Sequence, residues 1–212
     1  MKRTLITILT WNRLKNTKNT IKSLYKYNND FDLLFIDNGS TDGTVEYLEK
    51  EYELIKNKTN EGIFNASTKI WKEGVNRGYD YILNLQNDFP CIKTIPFKDM
   101  EDYMDKNKDV CYIRLNKKKD KKFNVVTKKA IRYEGSENIG IYTIKKCNYH
   151  AGFNPALIRS SIIKDFSKYD GDNPRERILM NNFERIGKQC AKIFPDVFDT
   201  LKQGSHKGDW KH

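Results

Sequence analysis

The sequence predicts an α/β fold, a mostly parallel sheet flanked by helices, with a less regular second half. Three observations predict it. Buried strands alternate with amphipathic helices from residue 4 to residue 115, an order that implies parallel strands joined by crossover helices. Turn-rich polar clusters follow the carboxyl ends of the predicted strands, where such sheets place their ligands. The 212 residues are 38% hydrophobic and 12% aromatic, with twelve Tyr and eleven Phe. That is enough apolar surface to offset chain entropy and build a core.

Residues 4–9 are β-branched and apolar and read as the first buried strand. A helix follows over residues 14–27, with Leu14, Ile21, Leu24 and Tyr25 on one face. Residues 32–36 form a second strand. It ends in Asp37-Asn38-Gly39-Ser40-Thr41-Asp42-Gly43-Thr44, where Thr41 or Asp42 is suited to cap a helix bearing Val45, Leu48 and Tyr52. A short strand at 53–55, a helix at 63–75 and a strand at 81–85 complete the regular half. Beyond it, the pattern predicts a helix at 96–106, strands at 110–115 and 139–144, and a short helix from Asn154-Pro155 to Ile163. A longer helix starts at Asn173-Pro174, where proline suits the first helical position. Residues 117–129 are lysine-rich and read as an exposed loop or hairpin.

No apolar run approaches the roughly 20 residues of a membrane helix, and the amino-terminal stretch is too short and strand-like for a signal peptide. Cys91, Cys111, Cys147 and Cys190 form no C-x-x-C pair. They are expected to be reduced packing residues in a cytoplasmic protein rather than a zinc site or disulfide framework. The net charge of +11 favours anionic partners: nucleotide phosphates, nucleic acid or an acidic membrane face. A coding bias toward Lys, Asn and Ile would produce the same excess.

Ile6-Thr7-Ile8-Leu9-Thr10-Trp11-Asn12-Arg13, the Asp37–Thr44 run, Asn60-Glu61-Gly62 and a strand ending in Gln86-Asn87-Asp88 together resemble the family 2 glycosyltransferases of Rossmann-like GT-A fold. The likeness spans residues 4–90. It continues more loosely through Phe153-Asn154-Pro155 and the helix carrying Glu176. It implies one domain over residues 1–212, with a nucleotide-sugar half (1–115) and an acceptor half (116–212). It also implies an inverting transfer from a nucleotide-diphosphate sugar, with a UDP-sugar favoured, to a hydroxyl on a glycan or lipid-linked glycan.

By this resemblance Thr10, Asn12, Arg13, Asp37, Asn38, Asn60, Gly62 and Asn87 bind the donor. A carboxylate at a strand end suits this work, because it accepts hydrogen bonds from base N–H groups and ribose hydroxyls. Asp37 also suits a turn, although the match of the whole loop favours donor binding; for Asn60 the turn-forming reading weighs equally. The two strand-end acids, Asp37 and Asp88, are expected to converge at neighbouring strand tips. The diphosphate calls for Mn²⁺ or Mg²⁺, and the resemblance gives the ligand role to Asp88, with His206 in the tail as a further ligand. Relatives usually carry Asp-x-Asp where this chain has Gln86-Asn87-Asp88, so weak or phosphate-dependent metal binding is expected. Asp88 can also simply cap a turn before Phe89-Pro90. Glu176 is the candidate general base and Asp172 its nearest rival, although an acid at 176 also suits the first turn of a helix. His150 is placed either at the acceptor site or in the core.

Other readings remain open on sequence alone. One is a sugar transferase, of viral type, that acts on a modified nucleic-acid base. Another is a non-catalytic basic nucleic-acid-binding protein, against which no recognition motif appears. A third is a degenerate transferase that binds nucleotide without turnover. Peripheral contact with an anionic membrane fits the charge, without an integral segment.

Overall fold

The computed structural model describes residues 2–116, 132–147, 153–166 and 187–199. The regular half runs β1 (Thr4–Thr10), α1 (Leu14–Tyr27), β2 (Asp32–Asp37), α2 (Thr44–Leu48), β3 (Leu54–Lys56), α3 (Gly62–Asn76) and β4 (Tyr81–Gln86). It continues through α4 (Phe97–Lys106), β5 (Val110–Arg114), β6 (Tyr133–Ile139), β7 (Tyr142–Cys147), β8 (Ala156–Arg159), α5 (Ser160–Phe166) and β9 (Gln189–Phe194).

The nine strands form one sheet in the order β3-β2-β1-β4-β8-β5-β9-β7-β6. The run β3-β2-β1-β4 is parallel throughout, as is the pair β5 and β9. β8 lies antiparallel between β4 and β5, and β7 runs antiparallel to β9 and β6. Two antiparallel steps across β8 point β5 the same way as β4. The carboxyl ends of β1, β2, β4 and β5 therefore share one edge of the sheet.

The sheet is covered on both faces, which is why its central strands carry apolar residues on both sides. On one face Ile21 and Leu24 of α1, Leu48 of α2 and Met100 and Met104 of α4 pack over Ile6, Ile8, Phe35, Leu83 and Ile113. On the other, Ala66, Ile70 and Trp71 of α3 join Ile162 and Ile163 of α5 over Leu5, Leu34, Ile82 and Ile158. α3 lies so close to the sheet that a Cβ on Gly74 would sit 2.4 Å from Cδ1 of Ile82. Any larger residue there requires the Ile82 side chain or α3 to shift. Buried Asn84 in the middle of β4 is satisfied from both sides: Trp71 Nε1 donates to its Oδ1 at 3.0 Å, and its Nδ2 donates to the Phe153 carbonyl at 3.1 Å.

Three elements depart from the sequence expectation. The strand expected at 139–144 straddles the Gly140-Ile141 turn of the β6–β7 hairpin. The segment after Pro155 begins as strand β8 and becomes helical only at Ser160. β9 was not anticipated, because Lys192 interrupts its apolar run. In the structure Lys192 is buried, and its ammonium donates to Asp196 Oδ1 at 2.5 Å and to the Asn116 carbonyl at 3.0 Å. The expected helix from Asn173-Pro174 and most of the lysine-rich stretch fall outside the described residues. All four cysteines are buried free thiols. No helix among the described residues is long and apolar enough to cross a membrane.

Candidate active site

β1 ends in two consecutive residues with left-handed backbone, Asn12 at φ 52° and Arg13 at φ 61°. Asparagine tolerates this region, whereas arginine gains nothing there. Strain of this kind costs on the order of 1–3 kcal/mol per residue and persists only where surrounding contacts impose it. Those contacts come from both neighbouring strands. The Asn12 N–H donates to Ser40 Oγ at 2.6 Å, and its Oδ1 accepts the Thr41 N–H at 2.9 Å. From the other side, Asn87 Nδ2 donates to the Asn12 carbonyl at 3.0 Å and to Thr17 Oγ1 at 3.2 Å. α1 has no cap of its own. Its Leu14 N–H is received by Asp42 Oδ2 at 2.8 Å, while Asp42 Oδ1 accepts from the Thr44 N–H and hydroxyl at the start of α2. One carboxylate thus closes two helix starts, and these bonds hold its pKa below the ordinary value although burial works against them.

Asp37 ends β2 and is 1% exposed. Its Oδ1 accepts the N–H groups of Gly39 (3.0 Å) and Ser40 (2.7 Å); its Oδ2 accepts the hydroxyls of Thr10 (2.9 Å) and Ser40 (2.5 Å). Four donors occupy the roughly four acceptor sites of a carboxylate. In this arrangement Asp37 organises its own loop. Asn38 extends the network outward. Its Nδ2 donates to Asn60 Oδ1 at 2.7 Å, and its Oδ1 accepts from Asn57 Nδ2 and the Glu61 N–H, both at 3.0 Å. Asn60 Oδ1 also receives the Gly62 N–H at 2.9 Å, and Lys69 of α3 donates to Asn57 Oδ1 at 2.5 Å. This seam brings the 37–44 and 57–62 loops together. Gly39 makes it possible: it sits at φ +81°, and a Cβ there would lie 2.9 Å from the Thr59 backbone. Gly39→Ala is expected to lower stability by about 2–4 kcal/mol, since both strain and backbone clash oppose it. A denaturant melt reads this directly.

At the end of β4 the three residues of Gln86-Asn87-Asp88 do different work. Asn87 braces the Asn12 bend as described, and its carbonyl accepts the Thr20 hydroxyl at 3.0 Å. Gln86 Nε2 donates to the Phe153 carbonyl at 2.7 Å, tying the segment before β8 to β4. Phe153 itself is stacked on Trp71 at 5.7 Å. Asp88 is 6% exposed and faces Arg13, whose Nη1 lies 3.6 Å from Oδ2. Its Oδ1 is buried with no hydrogen-bond partner among the described residues. Burial pushes the Asp88 carboxyl above its ordinary value, against the pull of the Arg13 guanidinium.

Most of the expected donor-side residues (Thr10, Asn12, Arg13, Asp37, Asn38, Asn60, Gly62, Asn87) and Asp88 therefore meet on one edge of the sheet. The two acids do not stand on neighbouring strands, because β1 separates β2 from β4. Asp172, Glu176, His150 and His206 lie outside the described residues. Sequence reasoning gave Asp42 to the start of α2, where its carboxylate does accept, but missed its second bond to Leu14 of α1, and it missed Ser40 and Asn57, whose side chains join the loops. As residue types they are indistinguishable from ordinary turn formers. Among the described residues no group of three or more His, Cys, Asp and Glu is arranged to hold a metal ion. Two clefts bordered by Arg3, of about 310 and 380 Å³, lie where β1 and β4 begin and share no residue with this site.

The sequence model for glycosyl transferase family 2 matches residues 5–167. The chain belongs to that family. No curated protein sequence matches it, but solved structures do. S. aureus TarS 1–349 in complex with UDP-GlcNAc superposes with a TM-score of 0.69 at 14% identity, covering 100% of this chain and 62% of that one. The mannosyltransferase PcManGT from Pyrobaculum calidifontis, in complex with GDP-Man and Mn²⁺, gives 0.67 at 11% identity, covering 97% and 58%. GalNAc-T7 with UDP, GalNAc and Mn²⁺ gives 0.63 at 10% identity, covering 95% and 45%. At these identities the likeness is one of fold, and it confirms the GT-A architecture with its sheet flanked by helices. The family 2 chain described here spans about three fifths of the TarS fragment it resembles.

Proposed function

We propose that the protein is an inverting glycosyltransferase that binds a nucleotide-diphosphate sugar, with a UDP-sugar favoured, at the carboxyl edge of β1, β2 and β4. The acceptor is a hydroxyl on a glycan or lipid-linked glycan, held by residues 116–212 of the same domain. The observation that carries this is Asp88: a buried carboxylate oxygen without a hydrogen-bond partner among the described residues, beside Arg13, on the edge of the sheet where the polar loops after β1, β2 and β4 meet. An unpaired buried acceptor is costly unless something binds it.

Asp88 Oδ1, with the amide oxygen of Gln86, would hold a hard cation weakly from the protein side, leaving the rest of its affinity to the donor's phosphates. Bound Mn²⁺ or Mg²⁺ supplies charge neutralisation for the leaving nucleoside diphosphate. With one carboxylate rather than two, affinity for the cation depends on the diphosphate being present. His206 is the tail residue proposed to add to this set. Arg13, held on its strained bend, supplies positive charge from the protein itself. The Asn38–Asn57–Asn60 seam, shaped by Asp37, fixes the loops around the nucleoside. In transfer, the acceptor oxygen bonds to the anomeric carbon, its proton passes to the Glu176 carboxylate, and the bond from that carbon to the diphosphate oxygen breaks with inversion. Asp172 is the alternative base. The four buried free thiols suit a cytoplasmic enzyme, one that would touch anionic membranes only peripherally.

A thermal-shift experiment on the full chain tests the reading. UDP, GDP and the corresponding nucleotide sugars are added with and without Mn²⁺. A ligand at a hundredfold its Kd stabilises by about 2.7 kcal/mol, and UDP with Mn²⁺ is expected to exceed the sum of either alone. If no nucleotide raises the melting temperature with or without Mn²⁺, the proposal fails.

A further inference from the structure

α1 carries a feature that donor binding does not use. Its sequence, LKNTKNTIKSLYKY, contains no acid. Lys15, Lys18, Lys22 and Lys26 are all exposed. At 100° per residue they fall within about 80° of the helix circumference, and they rise about 16 Å along the axis at spacings of about 4.5–6 Å. None of the four is in an ion pair among the described residues. Lys18 and Lys26 lie instead over the rings of Tyr47 and Tyr27, at 4.6 and 5.0 Å. By contrast, Lys2, Lys56, Lys98, Lys108, Lys146 and Lys192 all face carboxylates. Lys50, Lys58, Lys72 and Lys106 are likewise exposed and outside any ion pair among the described residues, but they stand singly on different elements; what sets α1 apart is four such lysines on one face of a helix that carries no acid.

The ridge has a direction. α1 starts at Leu14, directly after Arg13, which reaches Asp88. Lys15 therefore stands beside the site, and the other three lead away from it. The ridge is also narrow. α2 and α4 share this face of the sheet. α2 and the turn after it carry exposed Glu46, Glu49 and Glu51 beside a single lysine, Lys50, and α4 mixes Asp99 and Asp102 with Lys98 and Lys106, so neither presents the uniform positive charge of α1. A flat anionic lipid surface laid on α1 would meet those acids too, and α1 has turned its apolar face into the core rather than offering it for insertion. A line of negative charge would touch the lysines alone.

We propose that α1 is a track for the acceptor, which is a linear polyanion carrying phosphate or carboxylate groups at regular intervals, with the reacting hydroxyl delivered past Lys15 to the Asp88 edge. This names the acceptor class for the glycosyltransferase reading and rests on it.

The test uses fluorescently labelled inorganic polyphosphate as the probe. Its anisotropy is followed on the full chain between about 50 and 200 mM salt. Replacing Lys15, Lys18, Lys22 and Lys26 together by Gln is expected to weaken binding at least tenfold. The slope of log affinity against log salt should fall by about three, as each lost phosphate contact removes about 0.7–0.9. A charge-matched variant with Lys50, Lys72, Lys106 and Lys108 changed to Gln should stay within threefold of the parent. Equal losses in both variants would mean that net charge alone acts, and would overturn the track. So would phosphatidylglycerol vesicles binding as tightly as polyphosphate and losing affinity in the α1 variant, which would make the occupant a membrane. The UDP–Mn²⁺ thermal shift is measured on the same α1 variant. If it is absent there and in the parent while polyphosphate binding follows the ridge, the donor reading fails and the track stands.

Discussion

Asp88→Asn is expected to reduce turnover about a thousandfold while raising the melting temperature of the ligand-free protein. The two effects have one cause. Asp88 is buried, with one oxygen unpartnered among the described residues and the other 3.6 Å from Arg13 Nη1, a long and partly exposed ion pair. Burial penalises the charged form more than Arg13 supports it, so the carboxyl is harder to ionise in the folded chain than in the unfolded one. An amide of the same shape removes that penalty, so the ligand-free variant is expected to melt at a higher temperature than the parent. The pH dependence follows from linkage. Between the ordinary carboxylate pKa and the raised one, the folded chain holds a proton that the unfolded chain has released. Parent stability therefore falls as pH rises through that window, and the Asn variant lacks this fall. Catalysis moves the other way. An amide oxygen is a poor substitute for a carboxylate beside a cation and a diphosphate, and a thousandfold loss corresponds to about 4 kcal/mol of barrier. Turnover within tenfold of the parent, or a lower melting temperature, would remove Asp88 from the role proposed for it.

The regular half was legible because β1, β2 and β4 are apolar on both faces, unbroken, and closed by polar turn residues. The same logic misled beyond β5. β6 is an exposed edge strand, Tyr-Glu-Gly-Ser-Glu-Asn-Ile, without an apolar face to read. The apolar residues on either side of Gly140 looked continuous because a two-residue turn leaves so short a gap. β8 passes into α5 without a breaker, so a single apolar run served both periods. Lys192 hid β9, because its charge is answered by Asp196, a residue beyond the strand's own end.

The site was legible in its residue types and not in its bonds. Asp37 was read as a group aimed at a ligand, whereas four donors from Thr10, Gly39 and Ser40 take up its oxygens. Asn87 was read beside it as a donor contact, and its amide spans to Asn12 and Thr17, 75 and 70 residues away in sequence. Asp88 was named as the acid that matters at β4. What no pattern conveyed was its unpartnered oxygen, which depends on what fails to reach it. The residues that organise the edge and the residue left unsatisfied by that organisation are therefore separable. Changes to Asp37 or Asn87 should show first in stability, and changes to Asp88 first in turnover.

Glu176→Gln is expected to lower transfer by about 10³–10⁴-fold, the range a well-placed general base contributes, with the UDP–Mn²⁺ thermal shift retained. Two roles compete for this residue. As a base, Glu176 accepts the acceptor proton in the transition state, and its ionisation sets the acid limb of the rate profile. As a first-turn acid it merely complements the helix dipole, worth about 0.3–1 kcal/mol of stability and nothing in rate. Gln separates them, since it keeps shape and hydrogen bonding and loses only basicity. If the base role holds, kcat collapses, the acid limb of the pH profile disappears and the melting temperature barely moves. If the melting temperature falls while kcat and its pH profile stand, the residue is structural. Asp172→Asn supplies the complementary measurement, because only one of the two carboxylates can own the acid limb. Should Asp172→Asn erase it and Glu176→Gln leave it intact, the base lies four residues earlier, before the proline rather than after it.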